Sequence, residues 1–317
     1  MVLLSIIIVN VKGSEYLPKL IESIMNSSFS DFEVIVVDIK EGDIIHQKIK
    51  YVVIEKDLGL SYCRNVGVNS SSGEYILFLD NDSEVFSNTL QHLMDFMLKN
   101  EEKIVQPLLI RDDNAIDAAG GLIDELGYSK ELHRGEKPER VTDVTQVLYA
   151  KGAAFALSRK TFEKVGYFDE EYFYGYDESD YCLNAWKKGV PVYVYPSSIV
   201  RHYEHGSFKG NALSKSRRLT YFLESRRLYF VFKNFKLRML FKTTLPILIY
   251  FSGSVIRDAL NKERRGLVRV RITAFVWFLG KFPKIAMYRM KRKEITYDEY
   301  YLISRGLIIK HGVTRES

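Results

Sequence analysis

The sequence is poor in cysteine and in long apolar runs. Its two cysteines, Cys63 and Cys182, lie in no metal-ligand spacing, and we expect two small buried side chains in a reducing compartment. Thr243–Ile256 is uncharged but falls short of the roughly 20 residues that a bilayer-spanning helix needs. The apolar start lacks the positive region and the cleavage site of a signal peptide, so it predicts a buried first strand.

Charge is distributed unevenly along the chain. Residues 1–200 carry 20 Lys and Arg against 32 Asp and Glu, whereas residues 201–317 carry 26 against 8. Such asymmetry indicates that the two parts face different partners. Apolar residues make up 46% of the chain, which argues against general disorder. We predict an α/β domain over residues 1–207 and a basic, amphipathic helical region over residues 208–317.

The first hundred residues alternate between strand and helix patterns. Apolar runs predict buried strands at Leu3–Val9, Glu33–Asp38, Tyr51–Glu55 and Glu74–Leu79, and helical spacing predicts helices at Glu15–Asn26 and Leu60–Asn69. This alternation is typical of a parallel sheet with helices on both faces. Ligands bind beyond the carboxyl ends of such strands, where Asp38 and Asp80 lie.

The patterns farther along are less regular. Residues 111–149 predict a loop or hairpin layer over the site. Lys151–Val165 and Asp180–Lys188 predict helices or segments that contain helix, and Val190–Tyr195 predicts another strand.

Asp80, Asn81 and Asp82 form the sharpest local motif. Two carboxylates at positions i and i+2, on a turn that leaves a buried strand, can point at one hard cation such as Mg²⁺ or Mn²⁺. Asp and Asn also favour turns for local reasons, which is the alternative reading.

A second acidic motif, which includes Asp177, Glu178 and Asp180, lies between an aromatic run and an apolar helix. A carboxylate there could accept a proton from a substrate hydroxyl, or the acids could cap the helix. His202 follows a strand pattern and precedes a Gly-Ser turn. It is a candidate metal ligand, or else a structural or solvated histidine.

Taken together, these blocks resemble glycosyltransferase family 2, the inverting enzymes of the GT-A fold, over about residues 3–210. The resemblance rests on EVIVVD, on EKDLGLSYCRNVGVNSSSGEYILFLDND and on KGAAFALSRKTFEKVGYFDEEYFYGYDESD. It implies a Rossmann-like mixed sheet flanked by helices, a nucleotide-sugar donor and a divalent metal cofactor, Mg²⁺ or Mn²⁺. The C-terminal part is similar to that of rhamnosyltransferase-type members.

The resemblance also implies residue roles. Nucleotide and donor contacts fall on Val9, Asn10, Asp38, Arg64, Asn65, Asp80, Asn81, Gly152 and Ala153, and metal contacts on Asp80, Asp82 and His202. The catalytic base falls on Glu178, with Asp177 as the rival because the family's Glu-Asp order is reversed here. The chain has Asp38-Ile39-Lys40-Glu41 where the family commonly has Asp-Asn-x-Ser, so Ile39 and Glu41 depart from the pattern, and Asn184 replaces a frequent Arg.

The C-terminal third interleaves basic residues with apolar and aromatic ones. This composition suits amphipathic helices at an anionic membrane surface, and a soluble helical subdomain is the alternative. Nucleic acid is not expected as a partner, since uncharged runs such as Leu245–Phe251 favour lipid or a core.

We therefore expect a glycosyltransferase at the cytoplasmic face of the membrane, acting on a lipid-linked or cell-surface glycan acceptor. Alternatives are a polyprenyl-phosphate sugar synthase and a non-catalytic nucleotide-sugar-binding scaffold. A scaffold would need neither the paired aspartates nor the acidic motif nor His202.

Overall fold

The computed structural model describes residues 2–11, 13, 15–40, 42–204, 212–291 and 295–312. The predicted Gly206-Ser207 turn and the predicted boundary at residue 207 lie outside these residues. The strands are β1 Leu4–Val9, β2 Phe32–Asp38, β3 Ile49–Val53, β4 Tyr75–Asp80, β5 Ser83–Val85, β6 Ile104–Ile110, β7 Ile116–Ala118, β8 Gly121–Asp124, β9 Ser129–Glu131, β10 Thr145–Val147, β11 Ala154–Ser158, β12 Val192–His202 and β13 Ile308–Ile309. The helices are α1 Leu17–Met25, α2 Leu60–Asn69, α3 Thr89–Met97, α4 Arg159–Val165, α5 Asp177–Lys187, α6 Ala212–Asn234, α7 Leu237–Leu260, α8 Arg265–Gly280, α9 Phe282–Lys291 and α10 Glu299–Ser304.

The main sheet has the strand order β10-β12-β6-β11-β4-β1-β2-β3, with β5 paired to β12 and β7 paired to β6. Strand β1 runs parallel to β2 and β4, and Val9 lies opposite both Val37 and Asp80. Strand β11 is antiparallel to β4 and β6. The predicted mixed α/β sheet is confirmed, and its register brings Asp38 and Asp80 to one edge.

Two elements differ from the sequence expectation. The segment Lys151–Val165, expected to be helical or to contain helix, does contain α4, but its first part is strand β11, because Ala154–Ser158 is buried and pairs with β4 and β6. The helix begins only at Arg159, where Ser158 accepts a hydrogen bond from the Thr161 N–H. Strand β12 extends to His202 instead of ending at Tyr195.

The long β12 positions His202. It pairs antiparallel with β5, so that His202 lies opposite Ser83, immediately after the Asp80–Asp82 turn. Residues 111–149 contain the short strands β7 to β10, and a second sheet of order β13-β8-β9 contains the C-terminal β13. The hairpin layer expected over the site therefore includes a strand from the C-terminal region, β13, which pairs with β8.

The C-terminal helices share the core of the sheet domain. Leu228, Tyr229, Phe230 and Val231 of α6 are fully buried and belong to the same apolar cluster as Val192 of β12. The second half of α6 therefore belongs to the core of the sheet domain, although it follows the boundary predicted at residue 207.

Helix α7 spans 24 residues, because the helix continues through Lys242 and Arg257 on either side of the uncharged run. Within the described part of the chain it is the one helix long and apolar enough to cross a membrane, by length and composition alone. Core helices of soluble proteins can pass the same test. The expectation that no segment reaches spanning length is corrected.

Buried ion pairs join α5 to α6. The Lys233 ammonium, with 1% of its side chain exposed, donates to Asp180 Oδ2 at 2.6 Å and to Asp169 Oδ2 at 2.8 Å. Asn234 Nδ2 donates to Asp180 Oδ1 at 2.6 Å. Asp180, which could have capped its helix, is instead the point where α6 holds the first turn of α5.

We predict that Lys233→Met lowers the free energy of unfolding by about 3–5 kcal/mol, because it leaves buried carboxylates without their cation. Urea titration followed by circular dichroism measures the change. Lys215→Met, at an exposed position of the same helix, is the matched control and should change stability by no more than about 0.5 kcal/mol. Equal effects of the two substitutions would contradict the structural role of Lys233.

Candidate active site

A cavity of about 480 Å³ opens at the carboxyl edge of the main sheet. The predicted site residues that line it are Val9, Arg64, Asp80, Asn81, Asp82, Gly152, Ala153, Asp177, Glu178 and His202. They come from β1, α2, β4, β12, α5 and the segment before β11, which meet only in the folded chain. Asn10, Asp38 and Asn65 are buried beside the cavity and do not line it.

Asp80, Asp82 and His202 converge in the cavity, with ligand atoms within 4.8 Å of one another. Nε2 of His202 lies 3.4 Å from Asp82 Oδ1. Burial raises the pKa of Asp80 to about 6 even though Arg64 and His202 act to lower it. Two carboxyl groups and an imidazole nitrogen fit a hard divalent cation such as Mg²⁺ or Mn²⁺.

Asp117, on β7, supports His202 from behind. Its Oδ2 lies 2.9 Å from His202 Nδ1, and Lys151 Nζ lies 2.7 Å from its Oδ1. Burial alone would lower the pKa of His202, but the hydrogen bonds to Asp117 and Asp82 raise it to about 10. Metal-binding histidines usually donate their second ring N–H to such a carboxylate. We assign Nδ1–H to Asp117, which leaves Nε2 facing Asp82.

Asp117 and Lys151 were not predicted from the sequence as site residues. A signal for Asp117 was available, since it is a lone acid within the apolar stretch Ala115–Ala119. Isolated charges are rarely fully buried without a partner, and the partners here are Lys151, Arg134 and His202. No local pattern marks Lys151, whose role arises only from the tertiary contact.

Arg64 is the buried cation of the site. Its guanidinium pairs with Asp177, donates to the Gly152 carbonyl at 2.8 Å and lies 3.7 Å from Asp80 Oδ1. A Cβ atom at position 152 would lie 2.8 Å from Arg64 Nη2. The small residue predicted beside the donor sugar is therefore also required by the close approach of Arg64.

The two members of the acidic pair have different environments. Asp177 is almost fully buried and held by Arg64, whereas Glu178 is partly exposed within the cavity. Burial and the neighbouring Asp177 raise the pKa of Glu178 well above its usual range. Tyr176, just before them, has a φ of 65°, a backbone conformation that L-residues seldom adopt. This left-handed turn begins α5 at the acidic pair.

Asp38 and Asn10 form a buried polar chain behind the cavity. Asn10 Nδ2 donates to Asp38 Oδ2 at 2.7 Å, and Asn81 Nδ2 donates to Asn10 Oδ1 at 2.8 Å. The other Asp38 oxygen accepts the Ile39 N–H at 2.7 Å. These hydrogen bonds fix the ends of the three neighbouring strands β4, β1 and β2. A contact between Asp38 or Asn10 and a nucleotide stays a prediction.

Asn65 faces away from the cavity. Its amide donates to the Phe168 carbonyl at 3.0 Å and accepts the Phe168 N–H at 2.9 Å. Asn65 therefore positions the segment that precedes α5, while the adjacent Arg64 reaches the cavity.

Solved structures of glycosyltransferases share this architecture. A structure of GalNAc-T7 with UDP, GalNAc and Mn²⁺ superposes with a TM-score of 0.56 and 17% identity, covering 90% of this chain and 57% of that one. The mannosyltransferase PcManGT from Pyrobaculum calidifontis, in complex with GDP-Man and Mn²⁺, superposes with a TM-score of 0.54 and 14% identity, covering 88% of this chain and 87% of that one. The predicted GT-A fold is confirmed.

The sequence profile of glycosyl transferase family 2 matches residues 5–166, and the chain belongs to this family. It is similar to dTDP-rhamnosyl transferase RfbF of Shigella flexneri, with 26% identity over 161 residues, or 49% of this chain and 52% of that protein. The chain spans between about half and two thirds of the length of the first curated relatives it matches. The matched profile ends before α5 and His202, so their roles depend on the geometry described above.

We predict that Asp82→Ala abolishes Mn²⁺ binding and that Asp117→Asn weakens it about 10- to 100-fold, because His202 loses the partner that orients it. Electron paramagnetic resonance titration, with Mn²⁺ alone and with a panel of nucleoside diphosphates, measures the affinity. Asp113→Asn, on the exposed turn before β7, is the control and should bind normally. Wild-type affinity in Asp82→Ala would refute the metal assignment.

Proposed function

We propose that this protein is an inverting glycosyltransferase, which moves a sugar from a nucleotide-sugar donor to a hydroxyl group of a lipid-linked or cell-surface glycan acceptor. The observation that carries the proposal is one cavity in which Asp80, Asp82 and His202 lie with Glu178. Asp80, Asp82 and His202 suit a donor with a diphosphate leaving group, because they can hold the cation that stabilises it. Glu178 suits an acceptor hydroxyl, because it can accept the proton.

The chemistry divides between these groups. A divalent cation held by Asp80, Asp82 and His202 would supply the positive charge that stabilises a leaving diphosphate. Glu178 accepts the proton of the acceptor hydroxyl, whose oxygen attacks the anomeric carbon on the face opposite the leaving group. Asp177 is the weaker candidate for this base, because Arg64 already holds its carboxylate.

The environment of Glu178 also bears on the alternatives. The phosphate of a polyprenyl phosphate is ionised at neutral pH, so its attack on a donor needs no general base. Glu178 lines the cavity, and a glutamate whose pKa is raised well above its ordinary 4.5 is suited to accept a proton from a neutral hydroxyl. A base at this position favours a hydroxyl acceptor over a simple polyprenyl-phosphate sugar synthase, and a binding scaffold would gain nothing from this residue.

The exposed side of α7 supports a location at a membrane surface, which we propose to be the cytoplasmic face. Large apolar side chains recur along it, mostly at spacings of three, four or seven residues, which places them on one side of the helix. They are Leu237, Phe241, Leu245, Leu248, Ile249, Ile256 and Leu260. Basic residues flank this stripe at Lys236, Arg238 and Arg257. Apolar burial with flanking cations is the arrangement that binds anionic lipid.

A panel of nucleotide sugars, screened for metal-dependent thermal stabilisation, identifies the donor. With that donor, we predict that Glu178→Gln lowers turnover by about 10²–10⁴-fold, because the proton acceptor is lost. Donor stabilisation should persist in this variant. If Asp177→Asn shows the kinetic loss and Glu178→Gln does not, the two roles are exchanged.

The pH dependence follows from the raised pKa of Glu178. The base works only when ionised, so kcat/KM of the wild type should rise with pH through the raised pKa. The acidic limb should therefore lie well above the ordinary 4.5 of a glutamate. The residual kcat/KM of Glu178→Gln should not show this acidic limb. If the variant keeps the limb unchanged, the titrating group is a residue other than Glu178.

For the membrane, we predict that wild-type protein co-sediments with anionic vesicles more than with neutral ones. Salt should weaken the attachment only in part, since apolar burial is not screened. The double variant Phe241→Gln, Leu245→Gln should remain in the supernatant. Leu98→Gln, on the exposed end of α3, is the control and should sediment like the wild type. Equal sedimentation of all three proteins would reject α7 as the membrane contact.

A further inference from the structure

The mouth of the cavity has an apolar rim beside its acidic floor. Leu219 and Leu223 of α6 line it, together with Phe173 and Tyr174 from the loop before α5. Leu223 is 44% exposed, although apolar surface is usually buried where the fold permits it. The diphosphate and the sugar rings of a nucleotide sugar are polar and gain little from aliphatic side chains such as Leu219 and Leu223. The rim therefore points to the second substrate.

Aromatic contacts extend the rim toward α8. The rings of Phe173 and Phe222 stack with centroids 5.5 Å apart. The Arg226 guanidinium lies 5.0 Å from the Phe222 ring and 3.9 Å from the Trp277 ring of α8. Such cation–π contacts hold the two rings in fixed positions. We call Leu219, Leu223, Phe173, Phe222 and Trp277 the rim strip.

The rim strip ends among exposed apolar side chains. Val276, adjacent to Trp277, is 60% exposed, and Ile272 on the previous turn of α8 is 50% exposed. Helix α8 packs against both α6 and α7. Apolar side chains, joined through the Arg226 guanidinium, thus lead from the catalytic cavity to the helices that carry the exposed apolar residues.

We propose that the rim strip binds the apolar chain of an amphipathic acceptor, an alkyl or isoprenoid chain attached to the sugar that receives the transfer. This inference rests on the proposed function and names the chemical class of the acceptor. The sugar lies at Glu178, and the chain leaves over Leu219 and Leu223 toward Trp277. A ligand that must reach both Glu178 and the apolar strip is amphipathic along its length, as a sugar with an apolar chain is.

Alkyl glycosides that share one sugar head, with methyl or dodecyl chains below the micellar concentration, test the proposal. The wild type should have a lower KM for the dodecyl acceptor. The double variant Leu219→Gln, Leu223→Gln should raise the ratio of dodecyl to methyl KM by about 10-fold, because chain contacts are lost. Leu213→Gln, an exposed leucine of the same helix that does not line the cavity, should leave the ratio unchanged.

A binding measurement keeps the test independent of turnover. A dodecyl glycoside with a brominated chain should quench the fluorescence of Trp277, and Trp277→Phe reports the background from the buried Trp186. The Leu219, Leu223 double variant should lose this quenching. Quenching without transfer from any nucleotide sugar would reject the proposed function and keep the binding site. Unchanged quenching in the double variant, or a KM independent of chain length, would overturn the proposal.

Discussion

The pairing of Arg64 with Asp177 is the interaction on which the site depends. An isolated guanidinium buried among Phe78, Phe155 and Phe168 would be strongly unfavourable without carboxylate and carbonyl partners. Asp177 provides the carboxylate, so α5 must begin where Arg64 of α2 can reach it. The same guanidinium approaches the Asp80 carboxylate and fills the space above Gly152. One buried charge therefore fixes the relative placement of the acidic motifs.

The other buried acids of the site region differ in whether a basic side chain pairs with them. Asp117, at the back of the cavity, has Lys151 and Arg134 as partners, and Asp180 has Lys233. Two of the carboxyl groups that line the cavity, Asp80 and Glu178, have pKa values raised chiefly by burial. Asp117 and Asp180 are thus neutralised by partners in the protein, whereas burial disfavours the charged forms of Asp80 and Glu178 in the space where substrates would bind. Such a pattern is typical of functional sites.

The sequence predicts those parts of the site that local patterns encode. Asp38 and Asp80 could be located because each ends an apolar strand pattern. Glu178 could be identified because it lies in an acidic motif that follows an aromatic run. Strand β11 was not predictable, since a short apolar segment such as Ala154–Ser158 reads as helix or strand and only pairing with β4 and β6 decides. The partners of His202 and of Asp180 were equally hidden. Asp117 lies 85 residues from His202 and Lys233 lies 53 residues from Asp180, so no local window contains both members.

The domain boundary predicted at residue 207 separates α6 from the sheet domain, although α6 packs into the core of that domain. Its first half lines the cavity with Leu219 and Leu223, and its second half holds α5 through Lys233 and Asn234. Arg226, between these halves, stacks on Trp277 of α8. The helix therefore connects the proposed acceptor side of the cavity, the helix that carries Glu178 and the exposed apolar helices. A rigid helix with three such contacts fixes the distance between the proposed membrane surface and the proposed base, Glu178, and that distance determines how deep in the interface an acceptor hydroxyl would lie.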